Sequence, residues 1–564
     1  MPTFAGNLGP DIDSITDTVT SANLSITRTY AWNSIGADEP PAFTSTRAGT
    51  NVQPNFGTRT GNSGLDFGND WYFRIHILPN ALDLGNLVST QSRTVSLWNA
   101  FLAPVAYNAL ETSGLDGITL VPPAGVTPPT TLAELQFITY GLTIDLSGPP
   151  TVNASLTFTI GTDEYVVPIT GRRVVLMPFG PNWSSGVEET LTFQTAVSRS
   201  WDGTEQRRSL RRTPRRRMGY TAVLSRSEVQ RLDNLLYGWQ GRLYAVPLWA
   251  EPTSLQSSVS LGGDTLTIET ANKTFAAGGL LALYLNSGVS EVREILSVTG
   301  STVVLRSPVT RFWDAGTRVY PAMVAALATD VTARRLTESV VETSLSFDAE
   351  PSSNKYPFTA GPNPASYQGE ELYLHYANWA GGIETTWTTD RLNVDQNSGQ
   401  FRLVSRSGYS TPTKSHNWTL NGHAQIADFR EWLQRREGRA KPFYAPTGYV
   451  DFTLAAPAGL NDNAIDVLAN DYDLFSPAAS LRRDIAIQLK NGTTITRRIT
   501  AANPNPDTSV KLQLDAIVGV PFTQADVKRI SLLQFYRLAS DEISFRWLAE
   551  GVAQVQAGFT ATKT

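Results

Sequence analysis

Short runs of alternating apolar and polar residues predict β-strands along most of the chain after residue 70. Clear examples are WYFRIHI from Trp71, TVSLWNAFL from Thr94 and ASLTFTIGTDEYVVPI from Ala154. In SLTFTI, Leu156 and Phe158 fall on one face because successive side chains of a strand point to opposite faces. Gly, Pro, Asn and Asp separate the runs at the spacing of a β-sandwich. We therefore expect an immunoglobulin-like β-sandwich over residues 71–190.

Residues 1–70 show no such pattern. They are rich in Thr, Ser, Asn, Gly and Pro, and apolar residues are sparse and without helical period. This composition predicts an extended N-terminal arm. Two interpretations stay open: a terminus without fixed structure, or an arm that orders against a neighbouring subunit.

A helical period appears twice, in similar surroundings. LLYGWQGRLYAVPLW spans 235–249 and WLQRREGRAKPFYAP spans 432–446, each with a helical end, Gly-Arg and an aromatic strand. Ser225 is the expected N-cap of the first helix, and Glu228 completes a capping box. Four apolar positions and the Gly-Arg pair recur 197 positions later: Val229, Leu232, Leu235, Leu236, Gly241 and Arg242 correspond to Ile426, Phe429, Trp432, Leu433, Gly438 and Arg439.

The similarity continues beyond the helices. LALYLNSGVSEVREILSV resembles IAIQLKNGTTITRRITAA, and LATD from Leu327 matches LASD from Leu538. We therefore expect a mainly β protein with two repeated, tail-tube-like sandwich or barrel units, 191–350 and 400–564, each with one packed α-helix. Residues 351–399 are the expected connector. Two large copies are typical of internal pseudo-symmetry, and a trimer with pseudo-six-fold symmetry or a hexamer would form a closed ring.

Composition narrows the range of functions. The 564-residue chain has no cysteine, which excludes disulfides, thiolate metal sites and cysteine nucleophiles. Its net charge is −5, which argues against nucleic acid as a partner, other than DNA passing by. The first residues lack the pattern of a signal peptide, and no apolar run is long enough to span a membrane, so we expect synthesis in the cytosol without membrane insertion.

One segment departs from the acidic average, since seven arginines fall between Arg207 and Arg217. Three interpretations are nucleic-acid contact, a solvated strand and pairing with an acidic surface on a neighbouring subunit. The arginines that follow each helix could bond across an interface, or bond the helix C-terminus locally. The candidate interface residues are Arg211, Arg212, Arg215, Arg216, Arg242 and Arg439.

Residues for catalysis or metal binding are not found in a recognisable pattern. The four histidines are His76, His375, His416 and His423, and no two have i, i+4 spacing. NDNAIDVLANDYD from Asn461 lacks the order of a calcium loop, so a polar turn is favoured. No nucleophile elbow, P-loop or dinucleotide motif is present. We expect no catalytic site, no cofactor and no metal. The tryptophans are expected in the core and at interfaces, with carbohydrate platforms as the alternative.

The repeated segment carries a family resemblance. ADFREWLQRREGRAKPFYAP and YRLASDEISFRWLAEGVAQVQAGF resemble baseplate proteins of long-tailed bacteriophages, and the run from GLDGITLVPPAG to WDGTEQRRSLRR is similar to siphophage tail proteins. The resemblance covers about residues 90–564 and carries no catalytic residues. It implies a structural distal tail or tail-hub component at the virion tail tip. Such a protein forms a ring that joins the tail tube protein to hub and fibre proteins.

The chain departs from a simple distal tail protein, because it carries two tube-like units and an added sandwich, which leaves the number of subunits open. Two other functions also remain to be weighed. One is a receptor-binding tail protein that recognises host surface glycan through the sandwich. The other is a depolymerising enzyme, which nothing in the sequence predicts.

Overall fold

A computed structural model describes residues 71–563, apart from 147, 150, 240, 352–363, 379–381, 396, 398, 400 and 476–481. The predicted arm at 1–70 lies outside the described residues. Strands account for 56% of the described residues and helices for 7%, which confirms the mainly β class. Within the described residues no sheet closes into a barrel, so the barrel form of the expected units is not observed.

The first part of the chain contains nine strands in two sheets. They are β1 (Ile75–Leu78), β2 (Leu82–Leu87), β3 (Gln91–Asn99), β4 (Val105–Ser113), β5 (Ile118–Val121), β6 (Thr130–Leu132), β7 (Phe137–Ile144), β8 (Thr151–Ile160) and β9 (Asp163–Leu176). One sheet has the order β1-β3-β7-β5, and the other the order β2-β9-β8-β4-β6. Both contribute to one apolar cluster, in which the hydroxyls of Tyr107 and Tyr140 lie 2.8 Å apart.

The alternation in β8 is as the sequence predicts. Leu156, Phe158 and Ile160 are buried, while Thr157 and Thr159 between them are less so. The strand turns back at Gly161, whose φ of 63° lies in the left-handed region that glycine tolerates. Ile160 pairs with Asp163 across this turn, so β8 and β9 form a hairpin.

The first repeat follows. Its elements are β10 (Val187–Arg199), β11 (Glu205–Leu224), α1 (Arg226–Trp239), β12 (Leu243–Pro247), β13 (Thr253–Ser254), β14 (Thr265–Thr267), β15 (Leu280–Asn286), β16 (Val289–Thr299), β17 (Thr302–Leu305), β18 (Arg318–Leu327), β19 (Thr332–Arg335) and β20 (Val341–Ala349).

The second repeat comes after two short strands. The remaining elements are β21 (Ser366–Tyr367), β22 (Glu370–Glu371), β23 (Thr385–Asp395), β24 (Phe401–Asn421), α2 (His423–Arg436), β25 (Phe443–Pro446), β26 (Ala464–Leu468), α3 (Tyr472–Phe475), β27 (Asp484–Leu489), β28 (Thr494–Pro504), β29 (Ser509–Leu514), β30 (Val527–Leu538), β31 (Glu542–Ala549) and β32 (Val552–Ala561).

Strand pairing repeats between the two copies. The pairs β10–β11, β11–β20, β12–β18, β15–β16, β15–β18, β16–β17, β14–β17, β18–β20 and β19–β20 occur in the first copy. The second copy has β23–β24, β24–β32, β25–β30, β27–β28, β27–β30, β28–β29, β26–β29, β30–β32 and β31–β32 in the same order. Each copy also has a smaller apolar cluster of its own, around Leu281 and Ile487 respectively.

The strand pairings relate segments that lie outside the expected bounds of the two repeats. β23 is the counterpart of β10, so the second copy begins before the end of the expected connector at 399. The first copy likewise begins before 191, because the end of β9 pairs with β12 just as Leu372 bridges Tyr444 in the second copy. NWSSGVEET from Asn182 and NWAGGIETT from Asn378 carry this relation in the sequence.

Both predicted helices are confirmed. α1 and α2 have 14 residues each and begin 197 positions apart, at Arg226 and His423. Glu228 accepts the backbone N–H of Ser225 at 2.8 Å, which is one half of the expected capping box. Ile426, Phe429, Trp432 and Leu433 are buried in α2, whereas in α1 Leu232 is buried and Val229, Leu235 and Leu236 are half-buried. Residues of both copies belong to one large apolar cluster.

Candidate assembly site

The two copies are joined by a pair of strands. β10 of the first copy pairs antiparallel with β31 of the second copy, from Val187 opposite Trp547 to Thr192 opposite Glu542. The resulting sheet runs β23-β24-β32-β31-β10-β11-β20-β19, and we call it the long sheet. The first strand of one copy therefore docks on the hairpin that ends the other copy.

The two faces of the long sheet differ in chemistry. One face carries Leu191, Phe347 and Phe545, which are buried in the large apolar cluster with the helices. The opposite face carries polar and charged side chains that are exposed or half-buried; they include Thr190, Ser344, Ser415, Asn417, Gln554 and Thr560, and the charged Glu188, Arg217, Asp348 and Arg546. The sheet is thus apolar towards the helices and hydrogen-bonding towards water.

A buried ionic network lies at the joint. Arg430 of α2 bonds Glu189 of β10 at 2.7 Å and Glu251 at 2.6 Å, and all three side chains are buried. Arg216 of β11 lies 2.8 Å from the other oxygen of Glu189, and the indole N–H of Trp547 donates to Glu189 at 3.0 Å. Two carboxylates and two guanidiniums balance, so a charge-neutral group is buried between the copies.

The carboxylates of this network are ionised. Burial raises the pKa of Glu251, but the positive charges of Arg430 and Arg216 outweigh burial and lower the pKa to about 2. The pKa of Glu189 is lowered by Arg216 and Arg430 in the same way, against the opposing effect of burial. Removal of either arginine would leave a buried, uncompensated charge, which is strongly destabilising.

A second polar contact fixes the end of the joint. Asp541, just before β31, accepts the backbone N–H groups of Arg439 and Thr195 with its two oxygens, both at 2.9 Å. The Arg439 guanidinium donates to the Thr195 carbonyl at 3.1 Å. Gly438 has a φ of 71°, and a Cβ there would lie 2.4 Å from Asp541 and 2.7 Å from Phe193. Only glycine fits this close approach of the copies.

The candidate arginines occupy different environments. Arg439 and Arg216 lie at the joint between the copies, as described above. Arg211 donates to the Thr192 carbonyl at 3.1 Å and to Gln194 at 2.9 Å, and Arg215 is exposed on β11. Arg212 lies in β11, and its side chain is outside the described residues. Arg242 donates to the carbonyl of Gly148 in the first part of the chain. Contacts of these residues with other chains remain a prediction.

The sequence did not single out Arg430, Glu189, Glu251 or Asp541. Arg430 follows Phe429 on an otherwise apolar helix face, and its partners are 241 and 179 residues away along the chain. No local pattern indicates such distant pairs. Asp541 belongs to the LASD match, so the repeat pointed to it without indicating what it contacts.

The described residues contain no group of three or more His, Asp or Glu residues that could hold a metal ion. In the acidic stretch considered for calcium, Asp462 accepts the N–H of Gly459 at 2.6 Å and Asp466 lies 3.7 Å from Lys511. A cavity of about 630 Å³ lies beside α2, and its Glu371 bonds both Arg435, at 3.0 Å, and Arg436. Asp462, Asp466 and Glu371 are thus used in internal contacts.

Comparison with known protein families and with characterised proteins finds no match for this chain. Among the described residues, no helix is both long enough and apolar enough to cross a membrane. The joint and the two-copy repeat of the sequence are therefore the features that bear on function.

Proposed function

We propose that the protein is a structural component of a phage tail tip or baseplate, which forms a ring joining the tail tube to the hub and fibres. The observation that carries the proposal is the β10–β31 joint, in which one surface of a repeat binds a different surface of the other repeat. Contacts of this kind propagate from unit to unit, and they close into a ring when the rotation allows. The resemblance noted in the sequence supplies the tail context.

The units of this ring are the two repeats, proposed to be tail-tube-like, and the strands β1–β9 that precede them are proposed to form an immunoglobulin-like sandwich attached to the first repeat. The continuous pairing of β9 with both β2 and β12 supports a firm attachment of the sandwich to the first repeat. Three chains give six repeats and six chains give twelve. The polar face of the long sheet suits the wall of a channel, because it offers hydrogen bonds and little apolar surface to a passing polymer.

The tail tube protein, the hub and the fibres are the proposed partners, and the proposed location is the virion tail tip after assembly in the host cytoplasm. The test is the mass and shape of the purified protein. Light scattering should give three or six times 61.5 kDa, and electron microscopy should show closed rings. A monomer at all concentrations, or an open filament, would contradict the proposal.

Exposed aromatic side chains favour one second candidate, recognition of host surface glycan. Tyr72, Phe73 and Phe137 are exposed in the first part of the chain, where aromatic faces can stack on sugar rings. Binding of the full chain to a glycan array, lost in Tyr72→Ala and Phe73→Ala variants, would support this function. If the protein forms rings but binds no glycan on the array, this second function is excluded.

A further inference from the structure

The long sheet ends in two strands whose outer edges have no partner among the described residues. β23 pairs with β24 alone, and β19 pairs with β20 alone. These are the counterparts of the two strands that form the joint, since β23 corresponds to β10 and β19 to β31. Six strands of the long sheet separate them within one chain. Unpaired edges of this kind are the usual place where another strand adds.

The strand pairings fix which residues correspond. In the first copy Glu189 pairs with Met218, and in the second copy Thr385 pairs with Lys414. Corresponding residues of β10 and β23 are therefore 196 positions apart in the sequence. Tyr220 pairs with Leu345, and His416, 196 positions on, pairs with Ala557. Corresponding residues of the hairpins that end the two copies, β19–β20 and β31–β32, are therefore 212 positions apart.

The same shift relates β19 to β31. Ala333 pairs with Thr343 and Phe545 pairs with Val555, which again gives 212.

The occupied joint shows what the free edges are built to meet. Glu188 lies opposite Arg546 in the joint, and their counterparts are Glu384 and Arg334, again one acid and one base. The hydroxyls of Thr190 and Ser544 lie 3.1 Å apart, and their counterparts are Thr386 and Thr332. Charge and hydrogen-bonding capacity are thus conserved between the occupied joint and the two free edges.

The exposure of corresponding side chains also indicates that the free edge of β23 is covered in an assembly. Leu191 is 1% exposed because it packs under β31 in the large apolar cluster, whereas its counterpart Trp387 is 66% exposed. An indole left in water at a position that is core in the other repeat indicates a surface that is covered in the assembled state.

We infer that β23 of one chain pairs antiparallel with β19 of a second copy of the chain, with Glu384 opposite Arg334, Thr386 opposite Thr332 and Trp387 opposite Val331. This inference rests on the proposed ring and specifies its contact between chains. Each chain offers β23 at one end and β19 at the other, so every contact in the ring uses the same geometry as the internal joint.

Charge reversal tests the register. Glu384→Lys and Arg334→Glu each place like charges opposite one another, and each should weaken assembly at least tenfold, as the concentration of half-assembly shows. The combination of both substitutions restores opposite charges and should recover assembly. Arg334 also lies 3.7 Å from Glu342 of β20 within its own chain, so recovery in the double variant is the decisive result. Glu164→Lys, an equal charge change at an exposed residue of β9, is the control and should assemble as the unchanged protein does. Two single reversals without effect would overturn the register.

Disulfide trapping tests the contact directly, since the chain has no cysteine of its own. Thr386→Cys with Thr332→Cys should give disulfides between chains and a ladder on a denaturing gel. Thr190→Cys with Ser544→Cys, at the internal joint, should cross-link only within a chain. Thr386→Cys with Leu336→Cys should not cross-link, because Leu336 lies four residues, about 13 Å, from the proposed partner position.

The outcomes separate the two proposals. If the unchanged protein forms rings but the Thr386–Thr332 cysteine pair stays unlinked under oxidation, the inferred contact is wrong and the ring stands. If the unchanged protein is monomeric, the proposed function and the inferred contact both fall. A ladder that ends at the mass of the ring supports both.

Discussion

Arg430 and Glu189 come from different copies of the repeat and form a 2.7 Å ion pair with both side chains buried. Their charges are compensated within the joint by Arg216 and Glu251. The relative position of the copies therefore depends on polar contacts as well as on the shared apolar cluster. A fixed arrangement of the copies is what a ring of defined size requires.

Substitution of Arg430 tests this network. Arg430→Met leaves Glu189 and Glu251 buried without their partner, so we expect a loss of about 3–5 kcal/mol in the free energy of unfolding. Asp233→Met is the matched control, because Asp233 is the exposed counterpart on α1, and it should cost less than about 0.5 kcal/mol. Urea denaturation measures both. A loss below about 1 kcal/mol for Arg430→Met would show that the network contributes little.

The two Gly-Arg motifs offer a matched pair. Gly438→Ala places a methyl group 2.4 Å from an oxygen of Asp541 at a positive φ, so the joint must open, and we expect a fall in melting temperature of several degrees. Gly241 has no atom within 4 Å of an added Cβ, so Gly241→Ala should change much less. Equal effects of the two substitutions in thermal denaturation would contradict the role assigned to Gly438.

Aspartate substitutions on α1 and α2 should destabilise the protein in proportion to how deeply the replaced side chain is buried. Trp432 is 1% exposed, so Trp432→Asp buries an unpaired carboxylate and should unfold the second repeat. Leu235 is half-buried, and Leu235→Asp should destabilise the first repeat by a smaller amount. Tyr237→Asp is the control, because Tyr237 is 95% exposed. Circular dichroism and melting temperature distinguish the three, and a folded Trp432→Asp protein with unchanged melting would disprove the packing of α2.

Acid should destabilise the protein in two stages. Burial, and then the nearby Lys414, lower the pKa of His416 from 6.5 to about 4. Between these values the unfolded chain binds more protons than the folded chain, so the free energy of unfolding falls as the pH falls from 6.5 to 4, by roughly 3 kcal/mol.

Glu251, with a pKa of about 2, adds a further loss as the pH falls below 4.5, its value in the unfolded chain. Denaturation of the unchanged protein and of His416→Phe at pH 7 and pH 4.5 checks the first stage. The variant should lose most of the dependence in this range. An equal slope in both proteins would assign the effect to other groups.

Local patterns carried much of the fold. The periods of 2 and 3.6 residues located β8 and both helices, and the 197-residue repeat of α1 and α2 gave the relation between the copies. Gly and Pro residues before β23 hide its strand pattern, so the sequence predicts a connector where the structure has this strand. No local sequence pattern predicts the joint, because Arg430 and Glu251 are 179 residues apart and neither belongs to a recognisable motif.

The internal joint also bears on how quickly a ring could be built. A covalent link turns one of every two contacts between repeats into an intramolecular event, at the high effective concentration that a tether provides. A ring of six separate repeats has six contacts to form between molecules, whereas a ring of three tethered pairs has three. Incomplete rings then have fewer distinct forms, and no odd number of repeats can close. In the proposed ring, the duplication would in this way restrict the stoichiometry of assembly before any partner is met.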